Sequence, residues 1–400
     1  MKAFCLSTDT TIAPFGDPVG EVAVGGLRLV DVQAEALEAA GFERVDVVPS
    51  SEPYLLYSDR TWFTPALLRR MKAHGPGQLV IEDEGWWAWT GPLQRVVRPG
   101  QYELAICEGP PEFDGLAPIH LELDFHDLEL KAMSPSFAHA VNHPVRVGSA
   151  MVHQIDHWSH LVRVNQLSLA ARMEVAREDW EGAGFLGKIW RVFKLVFRAR
   201  STDGWKIASA VTERGADVQV HPTAVVEFSV LHDGCAIGPH AVVRGSVIGA
   251  GAVVDTHAVV NASTLGAGSK VGRFGHINLC TLFPGAMVST GDGFQASVFG
   301  RDAFVAWGAI VLDLSFGGSI KVEASDAGSA RVDSGTHFLG AAIGHRAKIG
   351  HGVKIGYGVA IPNDVLLVDK ADVLMGWGDG PTDAPAIIRD GVAVRRKSQD

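Results

Sequence analysis

Residues 341–363 read AAIGHRAKIGHGVKIGYGVAIPN, with isoleucine at 343, 349, 355 and 361 and glycine after the first three. A helix repeats every ~3.6 residues and a strand every ~2, so neither accounts for a step of six. Upstream, aliphatics fall at Val220, Val226, Leu231, Ile237, Val243, Ile248, Val254, Val260, Leu265, Val271 and Ile277, in steps of six and five. The unit is therefore seventeen residues: 226, 243, 260 and 277 form one column, and 237, 254 and 271 another. Each five-residue step carries a serine, Ser229, Ser246 and Ser263, so the irregularity itself repeats.

Three short strands per turn, each giving one inward aliphatic, describe a parallel β-helix of triangular section. Its rungs stack at the ~4.8 Å inter-strand spacing, and the aliphatic columns fill the axis. Gly238, Gly249, Gly266, Gly272, Gly344, Gly350 and Gly356 follow the inward residue, where a Cβ would crowd the bend or positive φ is needed. The pattern lapses near 278–298, resumes at Phe299, Val305 and Val311, lapses again over 312–337 and returns at Phe338 and Ile343. Both lapses are expected to be loop insertions, which in solenoids line the working face.

IGHRAKIGHGVKIGYG and VIGAGAVV resemble the hexapeptide-repeat family. The resemblance implies a left-handed parallel β-helix over 215–370 and a homotrimer, and leaves the reaction open. Acyltransferases of the family use a histidine as general base at a subunit boundary, with acetyl-CoA as co-substrate. His276, in GRFGHINLC, best fits that role, followed by His337 in SGTHFLG; His345 and His351 are expected only to occupy turns.

Residues 1–150 alternate strand-like and helix-like segments, which predicts an α/β domain of Rossmann-like character with a mainly parallel sheet and ligands at the strand C-termini. VGGLRLVDVQAEALEAAGFERVDVV and LYSDRTWFTPALLRRM resemble segments of the sugar-1-phosphate nucleotidyltransferases, including the bifunctional N-acetylglucosamine-1-phosphate uridylyltransferase/acetyltransferase. By that resemblance Asp59 would bind Mg²⁺, and Thr10, Gly25 and Gly26 would line a nucleotide or sugar site. The family's Gly-rich loop, however, corresponds to LSTDTTIAPFGDPVGEVAVGG, in which Ser7 and Asp9 stand at glycine positions, Thr11 at the arginine and Val19 at the lysine. Phosphoryl chemistry depends on positioning and charge neutralisation, so this loop predicts binding of a sugar phosphate or sugar nucleotide without ordinary nucleotidyl transfer.

Residues 151–214 are expected to form a helical connector. Its first helix would carry His153, His157 and His160 on one face, with His139 and His143 upstream. Without a glutamate or a second ligand cluster, packing and hydrogen bonding explain them better than zinc does. GFLGKIWRVFKLVFRAR (184–200) has an apolar stripe flanked by Lys188, Arg191, Lys194 and Arg198. The stripe suits a membrane surface; the open end of the β-helix also needs a cap, and that is the expected role. In EGWWAWTG, Trp87 and Trp89 read as one face of a strand.

A net charge of −10 argues against nucleic-acid partners. Four scattered cysteines with no paired motif suit reduced thiols, and the start MKAFCLSTDTT lacks a leader pattern, so a cytoplasmic protein is expected. Residues 371–400 read as a tail. Three functional classes remain: a divergent nucleotidyltransferase-like protein of sugar-nucleotide or envelope-glycan metabolism, an acyltransferase working in the β-helix clefts, and a non-catalytic sensor or scaffold.

Overall fold

The computed structural model describes residues 1–50, 52–128, 145–289, 293–323, 331–368, 386–389 and 392–395. His139, His143 and most of 371–400 lie outside the described residues.

The N-terminal sheet has six strands: β1 (Lys2–Leu6), β2 (Glu43–Val45), β3 (Tyr54–Ser58), β4 (Gly77–Val80), β5 (Gln101–Cys107) and β6 (Pro118–His120). Their spatial order is β6-β4-β5-β3-β1-β2. β1 runs parallel to β2 and β3, and β4 to β6, while β5 is antiparallel to both its neighbours. The sheet is thus mixed, with the antiparallel strand inside it. Helix α1 (Leu29–Ala39) buries Leu29, Gln33, Ala36 and Leu37, a single face at helical spacing. Its Gln33 donates to the Ser58 and Thr61 carbonyls, fixing the helix to the end of β3. Helix α2 (Pro65–His74) starts with proline at its first position and stops at Gly75, whose φ is +107°. EGWWAWTG forms a helix, α3 (Glu84–Thr90), rather than a strand, because the Asp83 carboxylate caps it by accepting from the Trp86 amide. Trp86 is the buried ring, stacked on Phe125 at 4.4 Å.

Helix α4 (Trp158–Gly182) begins seven residues after 151. Before it, Val152–Gln154 pairs antiparallel with Thr61–Phe63. Val152, Ile155, Trp158, Leu161, Val164, Leu167 and Ala170 belong to the same core cluster as the N-terminal sheet, and α4 also lies against β-helix strands Thr281–Leu282 and Val298–Phe299.

From Glu213 onward the chain winds into the β-helix. Two faces hold eight strands each, from Glu213–Arg214 to Ala360–Ile361 and from Gln219–Val220 to Leu366–Leu367. The third holds five, from Val225–Glu227 to Phe294–Gln295, followed by Ile310–Val311 paired with Lys354–Ile355. All rungs are parallel, and the inward column from Val226 to Ile361 is buried. The expected insertion at 278–298 is absent: Leu282, Val288 and Phe294 occupy the inward positions of a regular rung. The sequence pattern lapses there because Phe283 and Ser289 hold the glycine slots and an aromatic fills the third column. The insertion after Val311 is present, and it carries a hairpin of Lys321–Glu323 with Arg331–Asp333.

The serine of each five-residue step has a defined task. The residue before it is left-handed, with φ of 48° at Phe228, 50° at Gly245 and 41° at Ala262. The serine hydroxyl donates to the carbonyl two residues back and accepts the amide of the next rung: Ser246 N to Ser229 Oγ at 3.2 Å, Ser263 N to Ser246 Oγ at 3.1 Å, Cys280 N to Ser263 Oγ at 3.0 Å. Buried corner amides are thereby satisfied where the strand ladder is interrupted. Except at Gly356, the glycines after the inward residues answer to crowding, not φ: a Cβ on Gly249 would lie 2.6 Å from the Leu265 carbonyl oxygen.

The two domains share one core. Phe283, Ala296, Val298, Ile320, Val322, Leu339 and Ala342 of the β-helix and its hairpin join the N-terminal cluster. Phe15 stacks on Phe283 at 5.1 Å. Beside them Asp17 takes the Arg301 guanidinium and lies 2.9 Å from His345 Nε2, while His345 Nδ1 accepts from the Arg301 amide. Far from occupying only a turn, His345 ties the domains together.

Candidate functional site

The C-terminal ends of β1 and β3 lie side by side, the position at which open α/β sheets take ligands. Asp59 follows β3, and its amide donates to the Leu6 carbonyl. Its carboxylate accepts from the Thr8 hydroxyl (2.7 Å), the Thr8 amide (3.1 Å) and the Ser7 hydroxyl (3.1 Å). The Thr10 hydroxyl lies 2.8 Å from that of Thr8. The predicted pair Thr10 and Asp59 is therefore brought together. Both carboxylate oxygens are engaged by the loop, and no group of three metal-ligating side chains occurs among the described residues. To take Mg²⁺, the Asp59 carboxylate would have to give up at least one of these loop donors.

Gly25 and Gly26 lie elsewhere, in the turn of a hairpin between Ala23–Val24 and Leu27–Arg28, with φ of 60° and 88°. The Gly25 amide donates to Asn165 Oδ1 of α4, which also accepts from the Thr264 hydroxyl. A Cβ on Gly26 would meet Val247 at 3.0 Å. Their freedom serves domain docking.

The connector histidines are a buried network rather than a helical row. His153 lies on a strand, His157 caps α4 by accepting from the Ser159 amide, and His160 sits in its first turn. The His153 and His160 rings are 4.9 Å apart. His160 Nε2 donates to the Pro92 carbonyl and His157 Nε2 to the Glu323 carbonyl. Burial, reinforced by the nearby Arg163 cation, holds His153 down at about 3 and His160 well below its ordinary value; burial alone dominates at His157, about 4. Arg163 donates to the Pro92 and Ser334 carbonyls and is itself pushed down to about 10 by burial. Below it Arg60 binds Glu103 and Asp156. All of this is architecture.

On the third face of the β-helix, Ile277 points into the axis, so His276 and Asn278 share the outer side. His276 is open to solvent on one side, and shielding by its neighbours lowers its pKa, which favours the neutral imidazole. A Cβ on Gly293 would come into ordinary contact with His276, 3.7 Å from Nδ1. Next to it runs a polar chain: Asn278 Nδ2 donates to Gln295 Oε1 (2.9 Å), and Gln295 Nε2 to Asp313 Oδ2 (2.6 Å). Burial raises the Asp313 pKa. The buried Oδ1 atoms of Asn261 and Asn278 have no hydrogen-bond partner among the described residues. The corner leading into this strand stacks His240 on His257 at 4.9 Å and His257 on Phe274 at 5.1 Å. Asn278, Gln295 and Asp313 carry no sequence motif; the seventeen-residue register could have found the first two, since 261, 278 and 295 are one column. His337 lies exposed on the return from the hairpin insertion, where its carbonyl accepts from the Ser315 amide.

The four thiols are free, and burial raises Cys5, Cys107 and Cys235 to about 11 and Cys280 to about 12, which makes them poor nucleophiles. Among the described residues no helix is long and apolar enough to cross a membrane.

No family model and no curated protein matches the sequence. Among solved structures, a polysialic acid O-acetyltransferase aligns with 46% of this chain and 91% of its own at 17% identity, with a TM-score of 0.18. A superposition that loose transfers no function; the stacked parallel rungs themselves define the C-terminal part as a β-helix.

Proposed function

We propose that this chain is an acyltransferase that moves an acyl group from acyl-CoA to a sugar-containing acceptor, with His276 as general base. The observation that carries the reading is an exposed imidazole, biased to its neutral form, beside the polar chain Asn278–Gln295–Asp313 and two carboxamide oxygens with no hydrogen-bond partner among the described residues. In the reaction His276 takes the proton of the acceptor hydroxyl or amine as its oxygen or nitrogen attacks the thioester carbonyl. The C–S bond breaks, and the imidazolium returns the proton to the leaving thiolate. Asn261 and Asn278 would orient the acceptor by taking its hydroxyl hydrogens. The exposed strip His240–His257–Phe274 suits contact with a second copy, as a trimer with clefts between subunits requires.

The α/β domain would select the acceptor. A second reading, sugar-1-phosphate nucleotidyl transfer at Asp59, draws on the position of that carboxylate at the ends of two parallel strands. Against it stands a loop that spends the carboxylate on hydroxyls and offers Asp9 instead of a cation. The test is thiol release from acetyl-CoA across a panel of sugars, sugar phosphates and sugar nucleotides, run beside pyrophosphate release from nucleoside triphosphates. His276→Ala should cut acyl transfer by about 10²–10⁴-fold with the fold intact. An unchanged rate in that variant, or no thiol release with any acceptor, rejects the reading; pyrophosphate release would replace it with the second.

A further inference from the structure

The open end of the β-helix is capped, but not by the segment expected to do it. Helix α6 (Gly204–Val211) lies on the first rung: it packs on Val225–Glu227, Ala208 is buried, and its carbonyl accepts from the Phe228 amide. Helix α5 (Phe185–Ala199) packs on α6 from outside, which leaves its apolar stripe uncovered by the described residues. Ile189 is 50% exposed, Trp190 56%, Phe193 57% and Phe197 76%. The rings are aligned, Trp190 on Phe193 at 5.7 Å and Phe193 on Phe197 at 6.3 Å. Along the flanks lie Lys188, Arg191, Lys194 and Arg198, and the helix has no carboxylate, in a chain whose net charge is −10.

A concave site continues from the end of this helix, lined by Arg198, Lys206, Ser209, Thr212 and Arg214. Three cations converge there. Thr212 is 1% exposed, and its Oγ1 has no hydrogen-bond partner among the described residues. Arg198 is anchored by donating to the Thr212 carbonyl, so it belongs to both the stripe and the hollow.

We infer that α5 docks this protein on an anionic phospholipid surface, with the aromatic stripe in the acyl boundary and a lipid phosphate in the Arg198–Lys206–Arg214 hollow. Charge complementarity selects this occupant. An apolar face rimmed only by cations matches an anionic interface, whereas two-fold pairing of α5 with a second copy would set like charges against each other.

The experiment is flotation of the full chain with vesicles of neutral phosphatidylcholine, or of phosphatidylcholine mixed with phosphatidylglycerol. Binding is expected only to the anionic vesicles and should weaken with salt. Lys188→Gln with Lys194→Gln should lower affinity about fivefold per charge removed. Trp190→Ser with Phe193→Ser should abolish binding while circular dichroism and elution volume stay unchanged, and Lys206→Gln with Arg214→Gln should weaken it without touching the stripe. Absence of binding to anionic vesicles, or binding that survives loss of both aromatic residues, overturns the inference. So does concentration-dependent self-association, without vesicles, that the aromatic variant removes: the stripe would then be an interface between copies.

Discussion

Acid should unfold this protein through His153, His157 and His160. All three are buried and neutral in the folded chain, at about 3 for His153 and about 4 for His157, with His160 held well below its ordinary value by burial and by its neighbours. Once unfolded, each returns to an ordinary value near ~6.5. Because the folded values are depressed, the unfolded chain binds more protons at low pH. The contribution is therefore fully present above ~6.5 and is lost as pH falls toward the folded values. Each histidine costs ~1.4 kcal/mol per pH unit below its ordinary value, so the three together remove about 6 kcal/mol between pH 7 and pH 5. That is comparable to the whole stability of an ordinary domain, about 5–15 kcal/mol. Urea midpoints across this range should give an uptake of about three protons on unfolding near pH 5. His153 is the cleanest one to remove, since its Nε2 has no hydrogen-bond partner among the described residues. His153→Leu should reduce the uptake by one proton, or ~2 kcal/mol over the interval. A flat stability profile from pH 7 to 5, or an unchanged slope in the variant, would refute the linkage.

Other consequences are as direct. Ser263→Ala strands the Cys280 amide and should cost about 1–3 kcal/mol by urea denaturation, whereas Cys280→Ser, which keeps a donor in the ladder, should be within ~1 kcal/mol of the parent. Arg60→Met leaves Glu103 and Asp156 without their cation and should cost about 3–5 kcal/mol in the same assay. Trp86→Ala removes the Phe125 stack and the hydrogen bond to Tyr102, a loss of about 3–5 kcal/mol that thermal unfolding would register.

The β-helix was legible because its constraint is local and repeated: a seventeen-residue register places an inward apolar residue at the same positions of each turn, and a corner serine at Ser229, Ser246 and Ser263. What the register hid was the rung at 278–298. Its departures, Phe283 above all, come from the face that receives Phe15, so a long-range contact overrode the local pattern. The same reason lies behind α3. Alternating tryptophans suggest a strand, and only the Asp83 cap and the Phe125 stack settle the helix. Among site residues, Asp59 and Thr10 could be paired by resemblance, yet Gly25 and Gly26 could not be separated from them without knowing where Asn165 lies. The chain Asn278–Gln295–Asp313 crosses rungs, and a linear reading has no sign for hydrogen bonds between outward residues.

The shared core sets an order on biosynthesis. Phe15, Val24 and Leu167 belong to one cluster with Val298, Ile320, Leu339 and Ala342. A ribosome that has made the whole α/β sheet and α4 has therefore not yet made the surface those residues pack on. The nascent N-terminal half must wait, part of its apolar face uncovered, while more than a hundred further residues are added. Its last contacts close only when the hairpin and the later rungs have emerged.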